Sequence, residues 1–238
     1  LGKTAKKADI VRWARQHPDR VREWAKQQTR RQDLSGYDFE ADPIGVIQWD
    51  RVTAKYAAEN PLQPRNVNTQ DDLVSLIRQI IQQFRHFIED QSGWKIMWNN
   101  DGSEKPEEAA QLLFLGMSQQ YLRQFNVEID REVELGRGPV DFKASTGSSI
   151  RLLIEVKKLH NGKFWNGLRY QLPSYLQSDD ADFGWLIPIQ YRDNKNAQEK
   201  IRELPLEVAQ VSKDIGKRLE YAFIDGRRPC SASKIVQP

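Results

Sequence analysis

Cysteine, histidine and long apolar runs are all scarce in this sequence. Its 238 residues contain one Cys, Cys230, and three His at positions 17, 86 and 160. A single cysteine excludes an internal disulfide framework and a Cys-based zinc site, and it suits a reducing cytoplasm. The three histidines are far apart in sequence and match no zinc or triad spacing. No stretch approaches eighteen apolar residues, so no membrane span is expected. The opening Leu1-Gly2-Lys3 has neither a Met nor an apolar signal region, as expected of a trimmed chain or the back part of a longer one. The hydrophobic fraction is a low 39%, yet seven Trp, seven Tyr and nine Phe exclude a disordered chain. The length suffices for a buried core without disulfides or metal.

Charge is present and unevenly spread. Residues 1–31 hold ten Lys or Arg, among them Arg12, Arg15, Arg20 and Arg22, against Asp9, Asp19 and Glu23. That segment carries +7 of a chain total of +3, which leaves −4 on the rest. A basic arm on a mildly acidic body is an electrostatic footprint for a polyanion; a solvated helical face has the same composition.

Periodicity divides the chain. Ile10 to Ala14 and Val21 to Gln28 have helical spacing, interrupted at His17-Pro18. Thr69 and Asp72 resemble an N-cap pair opening a helix in which Leu73, Ile77, Ile80, Ile81, Phe84 and Ile88 recur at intervals of three and four. Ser103 is expected to cap another helix, with Pro106, Glu107 and Glu108 in its first turn and an apolar body around 112–117. From 127 the period becomes two, predicting strands over 127–135, 140–143 and 150–157 with turns at 136–139 and 147–148. A helix over 164–176 with an awkwardly placed Pro173, a strand over 183–191, a helix over 196–214 and a strand over 219–225 complete an α-β-β-β-α-β-α-β order from residue 104. The class is mixed α/β.

Within Arg151-Leu152-Leu153-Ile154-Glu155-Val156-Lys157, alternation puts Glu155 and Lys157 on one face with Leu153. A carboxylate and an ammonium emerging from an apolar strand call for partners, because an unpaired buried charge is costly. If this strand and the preceding one form a hairpin through Thr146-Gly147-Ser148, Asp141 lies near Glu155 and the two can share a divalent cation. Phosphodiester hydrolysis needs such parts: hard oxygen ligands for Mg2+ and a cation for the developing charge. Spacing alone fits an ordinary surface ion pair equally well.

Pro139-Val140-Asp141 followed fourteen positions on by Glu155-Val156-Lys157 resembles the signature of the PD-(D/E)XK nuclease superfamily. Gln171-Leu172-Pro173-Ser174-Tyr175 resembles the Gln-x-x-x-Tyr element of its recombination and defence nucleases. The resemblance covers roughly residues 104–191. It implies a restriction-endonuclease-like αβββαβ core with a mixed sheet over 101–238, preceded by a mainly helical region over 1–100, basic at its start. It further implies that Asp141, Glu155 and the Val156 carbonyl hold Mg2+, with Mn2+ as a substitute, and that Glu108 adds a further carboxylate, a place its neighbour Glu107 can also fill. Lys157 would meet the scissile phosphate or the attacking water, and Gln171 would orient substrate or water with Tyr175 behind it.

Arg137, in the turn that presents Asp141, together with Lys158, Lys163, Arg169, Tyr175, Arg12 and Arg15, forms the expected nucleic-acid contact set. Trp165 is expected either to stack on a base or to lie in the core, and His160 to be a loop histidine. The expected activity is a metal-dependent endonuclease acting on DNA in preference to RNA, with RNA cleavage a third reading that the sequence leaves open, in the setting of bacterial anti-phage defence. The alternative is a nuclease-like binding or scaffold subunit of a larger nucleic-acid-processing assembly. Trp13, Trp24, Trp49, Trp94 and Trp98 with the Leu73–Ile88 face point to a homodimer or a larger complex through the helical region.

Overall fold

A computed structural model describes residues 13, 16–21, 23, 46–63, 66–99, 101–136, 138–147 and 149–229, with backbone only for 46–51. Arg12, Arg15, Arg22, Trp24, Arg137 and Cys230, named above, lie outside the described residues, as does the Trp49 side chain. The chain divides into two compact units, Leu1–Val46 and Ile47–Pro238, so the boundary expected at 100/101 falls within the second. In the first, Trp13 and His17 stack with ring centroids 4.6 Å apart.

The second unit carries helices α1 (Val46–Glu59, from the last residue of the first unit), α2 (Gln70–Glu89), α3 (Glu107–Leu122), α4 (Phe164–Asn166), α5 (Leu172–Ser178) and α6 (Lys195–Ile215). Its strands are β1 (Glu128–Glu134), β2 (Pro139–Thr146), β3 (Ile150–Lys158), β4 (Phe183–Gln190), β5 (Arg218–Tyr221) and β6 (Ile224–Asp225). The protein is therefore α/β with a mixed sheet, and the element order from residue 104 follows the sequence pattern.

α2 starts where the sequence places it. The Thr69 hydroxyl accepts the Asp72 N–H at 3.1 Å and the Asp72 carboxylate accepts the Thr69 N–H at 2.9 Å, a reciprocal capping box. α3 does not start at Ser103. Ser103 donates its N–H and hydroxyl to Asp101 Oδ1 inside a turn, and Pro106 is the N-cap instead. The expected 219–225 strand is two short ones, β5 and β6, each parallel to β4. The ladder to β5 ends at Leu186 and that to β6 starts at Ile189, which leaves Pro188, with no N–H to give, in the interval.

The sheet runs β1-β2-β3-β4-β5, antiparallel across β1, β2 and β3 and parallel from β3 onward. Apolar side chains pack on both faces. On one, Phe142, Ile154, Val156 and Ile187 meet Ile77, Ile80 and Phe84 of α2 and Leu113, Phe114 and Met117 of α3. On the other, Leu153 and Leu186 meet Phe164, Leu168, Leu172 and Leu176, together with Leu204 and Val208 of α6. β4 is buried along its whole length, as a parallel strand covered on both faces must be.

Between α4 and α5 the helix widens. Gly167–Gln171 form a π turn in which the Leu172 N–H donates to the Gly167 carbonyl five residues back. Pro173 occupies the first turn of α5, where its missing N–H costs least. The proline is thus accommodated by a change of helical pitch rather than by a break.

A carboxylate and lysine cluster at an opened strand pair

The β2–β3 ladder pairs Thr146 with Ile150 and continues to Phe142 with Ile154. The next rung would join Asp141 to Glu155, and it is not made. On the other side, β1 and β2 pair on either side of Asp141 but skip its opposite number, Glu132, whose φ is +54°. For a non-glycine residue that is an uncommon conformation. Asp141 therefore sits at a gap in both ladders. Its Oδ2 accepts the Val156 backbone N–H at 2.7 Å, replacing a missing main-chain partner with a carboxylate.

Glu155 is 1% exposed. Its Oε1 lies 2.9 Å from the Lys157 ammonium, which is also 3.9 Å from Asp141 Oδ2 and 3.3 Å from Glu107 Oε1. One cation is thus shared by three carboxylates from three elements. Glu107 additionally accepts the Lys158 N–H at 2.7 Å, and one turn further along α3 the buried Gln111 hydrogen-bonds Asp141. The i and i+4 positions of α3 both face the gap. On the opposite side the Lys157 stem runs along Gly167, where a methyl group would come within 3.2 Å of Cγ. Tyr175 lies behind, its hydroxyl 3.4 Å from the position a Gly138 side chain would take.

Burial dominates the electrostatics. Desolvation raises the Asp141 carboxyl to about 6, despite the opposing pull of Lys157 and the Val156 N–H. Desolvation, then repulsion from Asp141, raises Glu155 to about 8. Lys157 is raised because Glu155, Asp141 and Glu107 together outweigh its own burial. Tyr175 is raised by burial and then by the Glu155 charge. Two crowded, desolvated carboxylates favour a proton or a metal ion over the bare charged pair.

The donor set suits a hard divalent cation, which takes one or two carboxylates and completes its shell with water. Among the described residues, Glu155 Oε2 is buried without a hydrogen-bond partner, an orphaned carboxyl oxygen with a lone pair to give. Also among them, no group of three or more His, Cys, Asp or Glu stands ready for a metal; the ammonium of Lys157 lies among these carboxylates.

The structure brings together Asp141, Glu155, Lys157 and the Val156 backbone. Glu107, rather than Glu108, is the α3 carboxylate at the cluster; Glu108 is largely exposed and pairs with Arg131 of β1 at 3.1 Å. Gln171 is exposed and lines a cleft of about 710 Å3 together with Arg169, Tyr170 and Tyr175. Arg169 pairs with Glu207 at 2.8 Å and stacks on the half-buried Trp165, whose ring is 5.0 Å from the guanidinium and which also packs on Phe164. Lys163 is exposed before α4. Lys158 turns its ammonium away, to the Lys105 carbonyl and over the Tyr191 ring at 4.8 Å.

Sequence reasoning missed Gln111, whose signal was its place four residues after Glu107. It also missed a second cluster in which Glu104 pairs with His160 at 3.0 Å and Arg192 at 2.6 Å. Glu104 lies well before β1, and Arg192 follows β4, so only the fold unites them. Burial lowers His160 below its ordinary value.

The fold and site together define an α/β protein with a carboxylate and lysine cluster at the point where two strands part. A family described as Domain of unknown function (DUF8371) matches residues 73–193, just over half of the chain, and the chain belongs to that family. The matched region spans every member of the cluster. No curated protein and no solved structure matches the chain. No helix among the described residues is long and apolar enough to cross a membrane.

Proposed function

We propose that the protein is a metal-dependent nuclease of the restriction-endonuclease-like type, hydrolysing phosphodiester bonds in nucleic acid, with DNA the preferred substrate. The observation that carries this reading is the missing rung: Asp141 and Glu155 are register mates left unpaired, with the Lys157 ammonium 2.9 Å from one and 3.9 Å from the other. The α-β-β-β-α-β order around them supports the same core. Asp141, Glu155 and the Val156 carbonyl would hold Mg2+ or Mn2+. Bound there, the ion would polarise a phosphate and acidify a water.

The chain's own residues do the rest. Glu107 and Glu155 hold the Lys157 ammonium, a fixed positive charge for the phosphate oxygens. Asp141 is pinned by the Val156 N–H and Gln111, so its carboxylate needs no reorientation when substrate arrives. The products expected by resemblance carry 5′-phosphate and 3′-hydroxyl ends. The resemblance suggests work in anti-phage defence, and the single cysteine suits a reducing cytoplasm. A double-strand break calls for two such sites, and a two-fold homodimer is the commonest way to supply them.

The alternative, a nuclease-like binding subunit, draws on one observation. Lys157 already pairs with the three carboxylates around it, so an ammonium supplies part of the positive charge that a metal ion would bring. Incubating plasmid, single-stranded DNA and RNA with Mg2+ or with EDTA, beside Lys157→Ala, separates the two. Cleavage that needs Mg2+ and Lys157 is expected; intact substrates throughout would favour the binding subunit.

A further inference from the structure

The π turn has two sides. Gly167 packs on the stem of Lys157, while Tyr170 and Gln171, on the same turn, line the 710 Å3 cleft. Ile215 at the end of α6 and Lys217 just after it also line the cleft, as does Tyr175, which feels the charges of the carboxylate cluster. Its size suits a ligand of one nucleotide or slightly more.

Tyr170 is 68% exposed, a ring held out from a segment whose Leu168 and Leu172 are fully buried. An aromatic face beside cations is the platform on which an unpaired base stacks. The cations are Arg169, 41% exposed and paired with Glu207, and Lys217, paired with the largely exposed Asp182 at 2.6 Å. Such surface pairs contribute little and exchange readily for phosphate. A paired base inside a duplex hides both faces in the stack, so it cannot lie on Tyr170 without being unstacked.

We propose that this cleft binds an unpaired nucleotide of a single-stranded nucleic acid, its base stacked on Tyr170 and its flanking phosphates met by Arg169 and Lys217. The proposal rests on the nuclease reading and names its substrate class: single strands, or duplexes with an unpaired end or flap. The segment that carries the cleft also carries the Gly167 contact to Lys157, and Tyr175, which lines the cleft, feels the charges of Glu155, Lys157 and Asp141.

The test uses a fluorescently labelled 12-nucleotide single-stranded DNA and the matching blunt duplex, titrated with the full chain in EDTA, so that binding is read without cleavage. The single strand is expected to bind at least about tenfold tighter than the duplex. Tyr170→Ala is expected to weaken single-strand binding about tenfold, within the range for loss of one stacked base, and Tyr170→Phe to restore it. Lys217→Ala is expected to lower the salt dependence by about one phosphate contact. Equal binding of the two forms, or an unaffected Tyr170→Ala, would overturn the proposal. Failure of the nuclease reading shows separately, as the absence of Mg2+-dependent cleavage in the wild type, and does not alter the binding result.

Discussion

The Asp141 carboxylate accepts the Val156 N–H at 2.7 Å, at the rung where β2 and β3 stop pairing. That bond fixes one carboxylate oxygen against the neighbouring strand and leaves the carboxyl beside Glu155, where desolvation and like charge act on both. The Lys157 ammonium, 2.9 Å from Glu155 and 3.9 Å from Asp141, is placed to relieve this crowding.

Glu107 and Glu108 are adjacent acids with opposite surroundings. Glu107 touches Lys157 and the Lys158 N–H, whereas Glu108 meets Arg131 at the surface. Glu107→Gln is expected to reduce Mg2+-dependent cleavage about 10- to 100-fold, as loss of a group orienting the reactive shell does. Glu108→Gln is expected to stay within about twofold of wild type. Equal effects in a cleavage time course would remove Glu107 from the site.

Metal-free stability should fall as pH rises. Asp141 and Glu155 have folded values of about 6 and about 8, above the ordinary 3.8 and 4.5. A raised carboxyl binds its proton more tightly in the folded state, so its contribution is complete below the ordinary value and is lost through the raised one. The loss should span about pH 4 to 8. Glu155→Gln cannot ionise there, so its melting temperature in EDTA should overtake that of the wild type as pH rises through this window. Mg2+ should stabilise the wild type more at pH 8 than at pH 5. Parallel pH profiles of the two proteins would show that Glu155 does not titrate in this window.

Lys157→Ala removes the cation shared by three carboxylates. Breaking a buried pair costs about 3–5 kcal/mol because the remaining charge is uncompensated. Urea unfolding at pH 8 should show a loss of that order. At pH 5 the loss should shrink, since protonated carboxyls no longer need the ammonium. A pH-independent loss would assign the effect to packing of the lysine stem.

Sequence resolves what is local and periodic. The Thr69 and Asp72 box needs only neighbours three apart, and strand alternation alone puts Glu155 and Lys157 on one face. The missing rung is not local: the skipped Glu132 and the early end of the β2–β3 ladder depend on how three strands twist together. The choice of Glu107 over Glu108 depends on the phase of α3 against the sheet. That phase is set by Ala110, Leu113, Phe114 and Met117 in the core, on a helix apolar on nearly every side. Ser103 has the right residue type for a cap, yet it is held by Asp101 in a tighter local turn. Pro173 is an awkward residue within a helical stretch of the sequence, and the π turn that precedes it becomes evident only in three dimensions.

Gly167 offers the sharpest separation of stability from activity. Its backbone is right-handed helical, at φ −56° and ψ −48°, so alanine fits the conformation. Replacing glycine in a helix stabilises it by about 0.5–1 kcal/mol. The added methyl, however, would come within 3.2 Å of Lys157 Cγ and 3.3 Å of Cε. Those distances are tighter than ordinary contact, so the stem must shift by a few tenths of an ångström. The ammonium end has little freedom to compensate, being held by Glu155 at 2.9 Å and Glu107 at 3.3 Å. Small displacements of a positioned group cost up to about 100-fold when its placement matters. Gly167→Ala is therefore expected to melt no lower than wild type while cleaving about tenfold more slowly, with the loss in turnover rather than in substrate affinity. Unchanged turnover in a protein of unchanged stability would show that the lysine head needs no such precise seat.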